Sequence, residues 1–335
     1  MQSSPINVLA SSATTPDSIQ WPSIEFILGP GRLKSRFEHW KYYLRLRWSK
    51  PYIDGFLNQI NASIVWQALY KNRPQHFHPP LSGFLDRRFT VKDRFTHLSA
   101  DLDLAHHHFG ASLAHDLAFG RSRIIATPLP ELVVSFGPNE VNPQEGSWAI
   151  SLRDLDGRRL NNLSFGFLSS GELLIASIQG SPGIANDGLE RVRVLTKAAH
   201  GLRPPNLLLE ALKSAARCWG VSALIGIDPR HHIKGRWNQR KKRLRFDYVV
   251  FWTEAGATLD ARDYWSIPLK SQRKGFSEIQ SNKRSLYRRR FQMLELMEGQ
   301  IQEALREATG ADVSEARLRI PDPPSRKLER NMEQN

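Results

Sequence analysis

The chain has 335 residues, 40% hydrophobic and 10% aromatic, so it can bury a sizeable core and global disorder is excluded. Its 47 basic and 33 acidic residues leave a net charge of +14 and a pI near 10.1, a balance suited to polyanionic partners. The single cysteine, Cys218, excludes an intrachain disulfide and any zinc site built from several cysteines, and no run approaches the roughly 18–20 apolar residues that span a bilayer.

Residues 1–34 read as a disordered tail. Met1 to Ser18 is rich in Ser and Thr, with no basic start and no apolar stretch, unlike a secretory signal. Residues 35–125 are expected to form a helical region. Trp40, Tyr43, Leu44 and Trp48 recur at helical spacing within Phe37 to Leu69. Pro51 is expected to start a second helix, with Ile53, Phe56, Leu57, Ile60 and Ile64 on its apolar face. Asn72-Arg73-Pro74 and Pro79-Pro80 punctuate the chain, and a further helix is expected from Val91 to Phe109. Most of the nine tryptophans are expected to pack inside.

Residues 126–308 are expected to form an α+β core: an antiparallel or mixed sheet with flanking helices. Leu132–Phe136, Trp148–Leu152, Leu163–Phe167 and Leu173–Ile178 are short apolar or alternating runs. Asp156-Gly157 and Ser170-Gly171 separate the later ones, which predicts an antiparallel meander. Helices follow near Gly188–Ala199 and from Pro204 to Trp219, the second with Leu208, Leu212, Ala215 and Trp219 on one face and Gly220 as its stop. Cys218 falls in this helix and is expected to be a buried, inert thiol. Strands are predicted at Ala223–Ile227 and Arg245–Trp252. An amphipathic helix runs from Asn282 to about Ala308, with Tyr287, Phe291, Leu294, Met297, Ile301 and Leu305 in its stripe. Residues 309–335 read as a mobile tail.

The charge is concentrated. Lys234 to Arg245 carries seven basic residues and no acid, among them Lys234, Arg236, Arg240, Lys241, Lys242 and Arg243. Lys283 to Arg290 carries five, Lys283, Arg284, Arg288, Arg289 and Arg290, again without an acid. Together they supply +12 of the +14, which leaves the rest of the chain close to neutral. Each run has an aromatic interleaved (Trp237, Tyr287), and the pair reads either as solvated surface or as an anion-binding surface for DNA, RNA or an anionic membrane.

No GxxxxGK[ST], GxSxG, HExxH or GxGxxG motif is present. His106-His107-His108 cannot converge on one ion, because successive helical residues point about 100° apart. His76 and His78 lie between Pro74 and Pro79 and are expected in a loop, so no metal site is expected. His231-His232 adjoins the basic run and is either part of an anion site or exposed loop. His200-Gly201-Leu202-Arg203-Pro204 directly precedes a helix. His200, Gly201 and Arg203 are therefore candidates for an anion site at a helix N-terminus. Pro204 and Pro205 remove two donors from such a cradle, and the other reading is a tight turn with Arg203 paired to a nearby acid.

The His200–Pro204 segment with Leu209-Glu210-Ala211-Leu212 resembles the HGLRP helix start of VirK/YbjX-type bacterial proteins. So do Phe246-Asp247-Tyr248 with Phe251-Trp252, and Ser281–Arg284 with Tyr287–Arg290. Ile178-Gln179-Gly180, the Arg94–Phe109 helix and His108-Phe109 match in character, and the likeness covers roughly residues 35 to 297. Asn282 departs from the lysine usual in the family's SKKR element. The resemblance implies a role in virulence, stress response, surface-protein localisation or resistance to antimicrobial peptides, and brings no reaction or catalytic residue.

The order of elements is similar to the acyl-CoA-dependent N-acetyltransferase fold, in which a helix N-terminus after the meander receives the cofactor pyrophosphate. The run of glycines that fold uses is missing here. Three functions follow as expectations: a cytoplasmic accessory protein that binds an anionic partner through its basic segments, with peripheral attachment to the inner membrane left open; an acyltransferase-like enzyme using acyl-CoA near Arg203 and the Ala223–Ile227 strand; and a nucleic-acid-binding protein. No cofactor other than acyl-CoA is indicated.

Overall fold

A short helix and a long one begin the architecture, and the long one keeps a proline inside it. In this computed structural model, which describes residues 18–28, 36–120, 122–180, 188–235, 246–273 and 275–310, a short α1 (Ile24–Leu28) precedes α2 (Arg36–Asn61). Pro51 lies inside α2 instead of starting a new helix. A proline deprives the carbonyl four residues earlier of its donor. Arg47 and Pro51 are both exposed, so that carbonyl faces water and the break costs little. Ser63 caps α3 (Ile64–Asn72), accepting the Trp66 N–H.

Pro74–Phe77 and α4 (Pro79–Ser82) form short helical turns where a loop was expected. They bury His76, and desolvation pushes its imidazole down to about 3. Helix α5 (Val91–Ala118) opens on a reciprocal Thr90–Asp93 cap. It continues past its expected end at Phe109 because Gly110, with φ 73°, supplies a kink instead of a stop.

Among the described residues the sheet has eight strands. Strands β1 (Arg123–Leu129), β2 (Leu132–Pro138), β3 (Trp148–Asp154), β4 (Arg159–Phe167) and β5 (Leu173–Gly180) make the predicted antiparallel meander. The turns carry Gly157 and Gly171 at positive φ, which fits glycine there. Strand β6 (Leu224–Ile227) pairs parallel to β5, after the two crossover helices α6 (Gly188–Ala198) and α7 (Pro204–Cys218). Strands β7 (Thr258–Leu259) and β8 (Tyr264–Ile267) follow, and β8 inserts between β6 and β7. Long α9 (Arg284–Gly310) packs along β1, α7 and α5.

The α+β class therefore holds. One hydrophobic cluster runs from Ile24 through the aromatic group Phe109, Phe136, Trp148, Phe165, Phe167 and Trp219 to Ala308, so helical region and sheet share a core.

Three expectations are corrected. Arg245–Trp252, expected as a strand, contains the helix α8 (Tyr248–Glu254), capped by Asp247, which accepts the Val250 N–H. Tyr248, Phe251 and Trp252 are buried while Val249 and Val250 are exposed. That is helical periodicity, which the β-branched and aromatic composition masked. Cys218 is exposed instead of buried, at the C-terminal end of α7 beyond its apolar face. Trp40 and Trp48 on α2 are exposed, whereas Tyr42, Ile53, Phe56 and Ile60 face the core.

Candidate functional site at the end of the parallel strands

Strand β5 pairs with β4 along its whole length, from Leu173 to Gly180. Its pairing with β6 covers only Leu173–Ile175 against Leu224–Gly226. Beyond that point the two strands diverge, and α8 enters the gap. Tyr248 Oη accepts the Ile178 N–H of β5 at 3.1 Å, and Trp252 Nε1 donates to the Ile227 carbonyl of β6 at 3.0 Å. A Cβ on Gly226 would stand 2.7 Å from the Trp252 ring, so the strand must carry glycine for α8 to seat. Burial pushes the Tyr248 hydroxyl up to about 12, which keeps it protonated.

Next to this wedge, at the C-terminal end of β5, is a buried polar cluster. Glu145, in the turn Pro143–Glu145, is fully buried. Its Oε2 accepts from Gln179 Nε2, which also donates to Ser177 Oγ at 3.0 Å. Its Oε1 lies 3.2 Å from Lys234 Nζ and 4.0 Å from His232 Nε2.

His232 is buried, and its Nδ1 accepts the Lys234 N–H at 3.1 Å, which leaves the proton of the neutral ring on Nε2. Neither Glu145 Oε1 nor His232 Nε2 makes a hydrogen bond, although they face each other. Burial lowers the pKa of His232, against the opposing pull of Glu145 and with a smaller push from Lys234. A buried carboxylate beside a neutral imidazole and an ammonium can accept a proton, pass it on and hold an anion at once. Buried Asp86 is better satisfied, bonding Arg88 and Tyr264. Asp101 takes the Trp148 and Phe167 donors on Oδ1 alone and leaves Oδ2 unbonded, and burial raises it to about 7.

The His200–Arg203 turn lies at the other end of α8. His200 and Gly201 both have positive φ and close α6, with Gly201 N–H bonded to the Thr196 carbonyl. Arg290 from α9 donates through Nε and Nη2 to the His200 carbonyl at 2.9 and 2.7 Å, and a Cβ on Gly201 would meet that guanidinium at 2.7 Å. Desolvation and then the Arg289 and Arg290 charges lower the pKa of His200. Arg203 pairs with Glu254, the last residue of α8. Tyr248 and Glu254 are the two ends of a seven-residue helix, so the two clusters lie about 10 Å apart.

Lys283, Arg284, Arg288 and Arg289 are exposed at the start of α9. Arg288 covers Phe276 beside a surface hollow of about 450 Å³. His231 contacts Asp263 at 3.4 Å. Arg236, Arg240, Lys241, Lys242 and Arg243 lie outside the described residues. Among the described residues, no group of His, Cys, Asp or Glu is arranged to hold a metal ion, and no helix is long and apolar enough to cross a membrane.

The model of a protein family of unknown function, DUF535, matches residues 31–303. The chain belongs to the DUF535 family. An uncharacterised protein of Haemophilus influenzae (strain ATCC 51907 / DSM 11121 / KW20 / Rd) is 35% identical over 272 residues, covering 81% of this chain and 91% of the relative. A protein of Mannheimia haemolytica named membrane protein LapB is 31% identical over 228 residues, 64% of this chain and 94% of LapB. Uncharacterised YbjX of Escherichia coli K12 is 29% identical over 163 residues, about half of each chain. No solved structure matches significantly. The VirK/YbjX resemblance read from the sequence is thus confirmed as DUF535 membership.

Within this DUF535 chain the family-like motifs converge in space. The HGLRP turn touches Arg290 of the closing basic element and Glu254 of the helix that follows Phe246-Asp247. Sequence reading missed Glu145, because a single acid in an Asn-Pro-Gln-Glu-Gly turn carries no motif, and it gave Gln179 of the Ile178-Gln179-Gly180 segment no site role. Tyr248 was visible in its motif but assigned to a strand.

Proposed function

We propose that this DUF535 chain binds an anionic, phosphate-bearing ligand at the C-terminal end of the β5–β6 pair. One observation carries the reading. The basic segment that starts at Lys234 leaves the same strand ends at which buried Glu145 and His232 and the exposed Lys234 form an incompletely bonded cluster. In sheets with parallel strands, ligands bind outside the carboxyl ends where the topology switches. Here β5 is the switch point, antiparallel to β4 and parallel to β6.

Acyl transfer from an acyl-CoA is the second reading, favoured by the strand order. Its support is a five-strand meander, a parallel neighbour reached through helices, and a last strand next to that neighbour, an analogy of strand order alone. In such a step an acceptor amine attacks the thioester carbonyl, the C–S bond breaks, the thiolate leaves and Glu145 takes the amine proton. The stress or virulence role belongs to the same proposal, as the setting in which the ligand is handled.

The test is thermal stability of the full chain titrated with acetyl-CoA, free CoA, inorganic phosphate, duplex DNA and RNA. A saturable shift with CoA or acetyl-CoA that is lost in Lys234→Ala and reduced in Arg203→Ala supports the ligand site. Acyl transfer also requires release of free thiol with an amine acceptor. No shift at millimolar concentration of any small ligand overturns both readings. A steeply salt-dependent response to nucleic acid alone transfers the function to nucleic-acid binding.

A further inference from the structure

The outer face of α2 has no role in the ligand site and exposes three large aromatic rings, Phe37, Trp40 and Trp48. At 3.6 residues per turn, Phe37, Trp40, Leu44 and Trp48 fall within about 80° of one another. Phe37 is 56% exposed, Trp40 59% and Trp48 66%, so the stripe faces away from the core that Tyr42, Ile53, Phe56 and Ile60 occupy. The helix is therefore apolar on two opposite sides, and folding explains only one of them.

Cations line the margins of the outer stripe. Lys41 and Arg45 lie on one side, with Lys41 Nζ held 4.1 Å above the Phe37 ring. Arg47 and Lys50 lie on the other, alongside Tyr43, which is also exposed. The only acid between Phe37 and Lys50 is Glu38, exposed at the Arg45 margin and outside the aromatic stripe. The sequence leading in adds Arg32, Lys34 and Arg36. Residues 32–50 thus hold seven basic residues and one acid, a third basic stretch hidden in the chain total because acids elsewhere cancel it.

We propose that the Phe37–Lys50 face of α2 is a membrane-interface surface that seats the protein on an anionic phospholipid bilayer. Trp and Tyr suit the headgroup boundary, where an apolar ring is buried and its polar edge stays wet. Lysine and arginine at the margins reach lipid phosphates while their stems cover apolar surface. The stretch spans about 20 Å, enough to lie flat in the interface as one amphipathic element.

Charge argues against a second copy on this face. A two-fold interface would bring the cationic margins of both copies together, with no acid on the face to relieve them. Duplex nucleic acid fits less well too, because its bases are paired and stacked and would leave the exposed rings uncovered. The inference does not depend on the ligand proposed for the β5–β6 site.

Co-sedimentation of the full chain with vesicles tests it, using phosphatidylcholine alone and phosphatidylcholine with added phosphatidylglycerol. The wild type is expected to bind the anionic vesicles, with Trp40→Ser/Trp48→Ser weakening binding about tenfold or more. Lys41→Glu/Arg45→Glu should weaken it further, by more than about fivefold per charge. All four positions are solvent-facing, so circular dichroism melts should stay at wild-type values; Phe37→Ser is the substitute if a double variant melts early.

Arg288→Glu/Arg289→Glu is the control for attraction through α9. Loss of binding there, with none in the α2 variants, overturns the proposal. So does a wild type that ignores phosphatidylglycerol, or a dimer in sedimentation velocity that Trp40→Ser/Trp48→Ser abolishes.

Discussion

The two ends of α8 are both rich in charge yet put it to different uses. At the Glu254 end Arg203 pairs with Glu254, and Arg290 closes on the His200 carbonyl. At the Tyr248 end the charges are more deeply buried, yet Glu145 Oε1 and His232 Nε2 face each other at 4.0 Å without a hydrogen bond. Leaving a buried polar atom unbonded costs about 1–3 kcal/mol, so a fold rarely leaves two of them together without use. An arginine bonded to a carbonyl is framework, and the buried, half-bonded acid and base are what the proposed ligand site rests on.

Breaking the wedge should disturb both ends. Trp252→Ala removes a fully buried ring that holds α8 against β6 and is expected to cost about 3–5 kcal/mol in chemical denaturation. Gly226→Ala, which drives a methyl into the same ring, should cost about 1–3 kcal/mol. If either variant keeps wild-type stability, α8 is not the strut that joins the two clusters.

Acid separates framework histidines from the one at the site. Burial holds His76 down to about 3 and His78 to about 4, so both stay neutral in the fold while an unfolded chain protonates them near 6.5. Their folded values are depressed, and stability is therefore lost as pH falls from about 6.5 toward 3–4. Melting temperatures across that window should fall less in His76→Asn/His78→Asn than in wild type. His232, lowered in the same direction by burial, should contribute a smaller part that His232→Asn removes.

The remaining predictions set the two ends directly against each other. Arg290→Ala strands the His200 carbonyl and should cost about 1–3 kcal/mol of stability while leaving the ligand-induced thermal shift intact. Glu145→Gln, isosteric and next to Lys234, should show the reverse, a stability change within about 1 kcal/mol and loss of that shift. Arg203→Ala should cost the least, under about 1 kcal/mol, because its ion pair is exposed on both sides.

Much of this fold was legible. The meander was marked by alternation and Asp-Gly or Ser-Gly turns, and α7 by Pro204-Pro205 ahead of a clean apolar face. Lys213 shows where such a reading stops. Helical spacing puts it off the face of Leu208, Leu212, Ala215 and Trp219, yet it is buried, bonded to Ser271 Oγ at 2.7 Å and 3.4 Å from Glu210, because residues around Ser271 fold over it. Of the candidate site, the HGLRP turn and His232 were named from sequence. Glu145 and Gln179 were not, since their chemistry comes from burial and from strands far apart along the chain.

Sequence alone determined the α+β class, the family motifs and the existence of local charge, since periodicity, turn chemistry and composition are properties of neighbouring residues. Only the tertiary structure decided which side of each helix is used. Periodicity along α2 places Trp40 and Trp48 on a shared stripe without saying whether that stripe meets the core or the solvent, and packing against α3 and α5 buried the opposite side. It likewise decided that Glu145, His232 and Lys234 meet, because burial and proximity across a sheet arise from long-range pairing that no local pattern encodes.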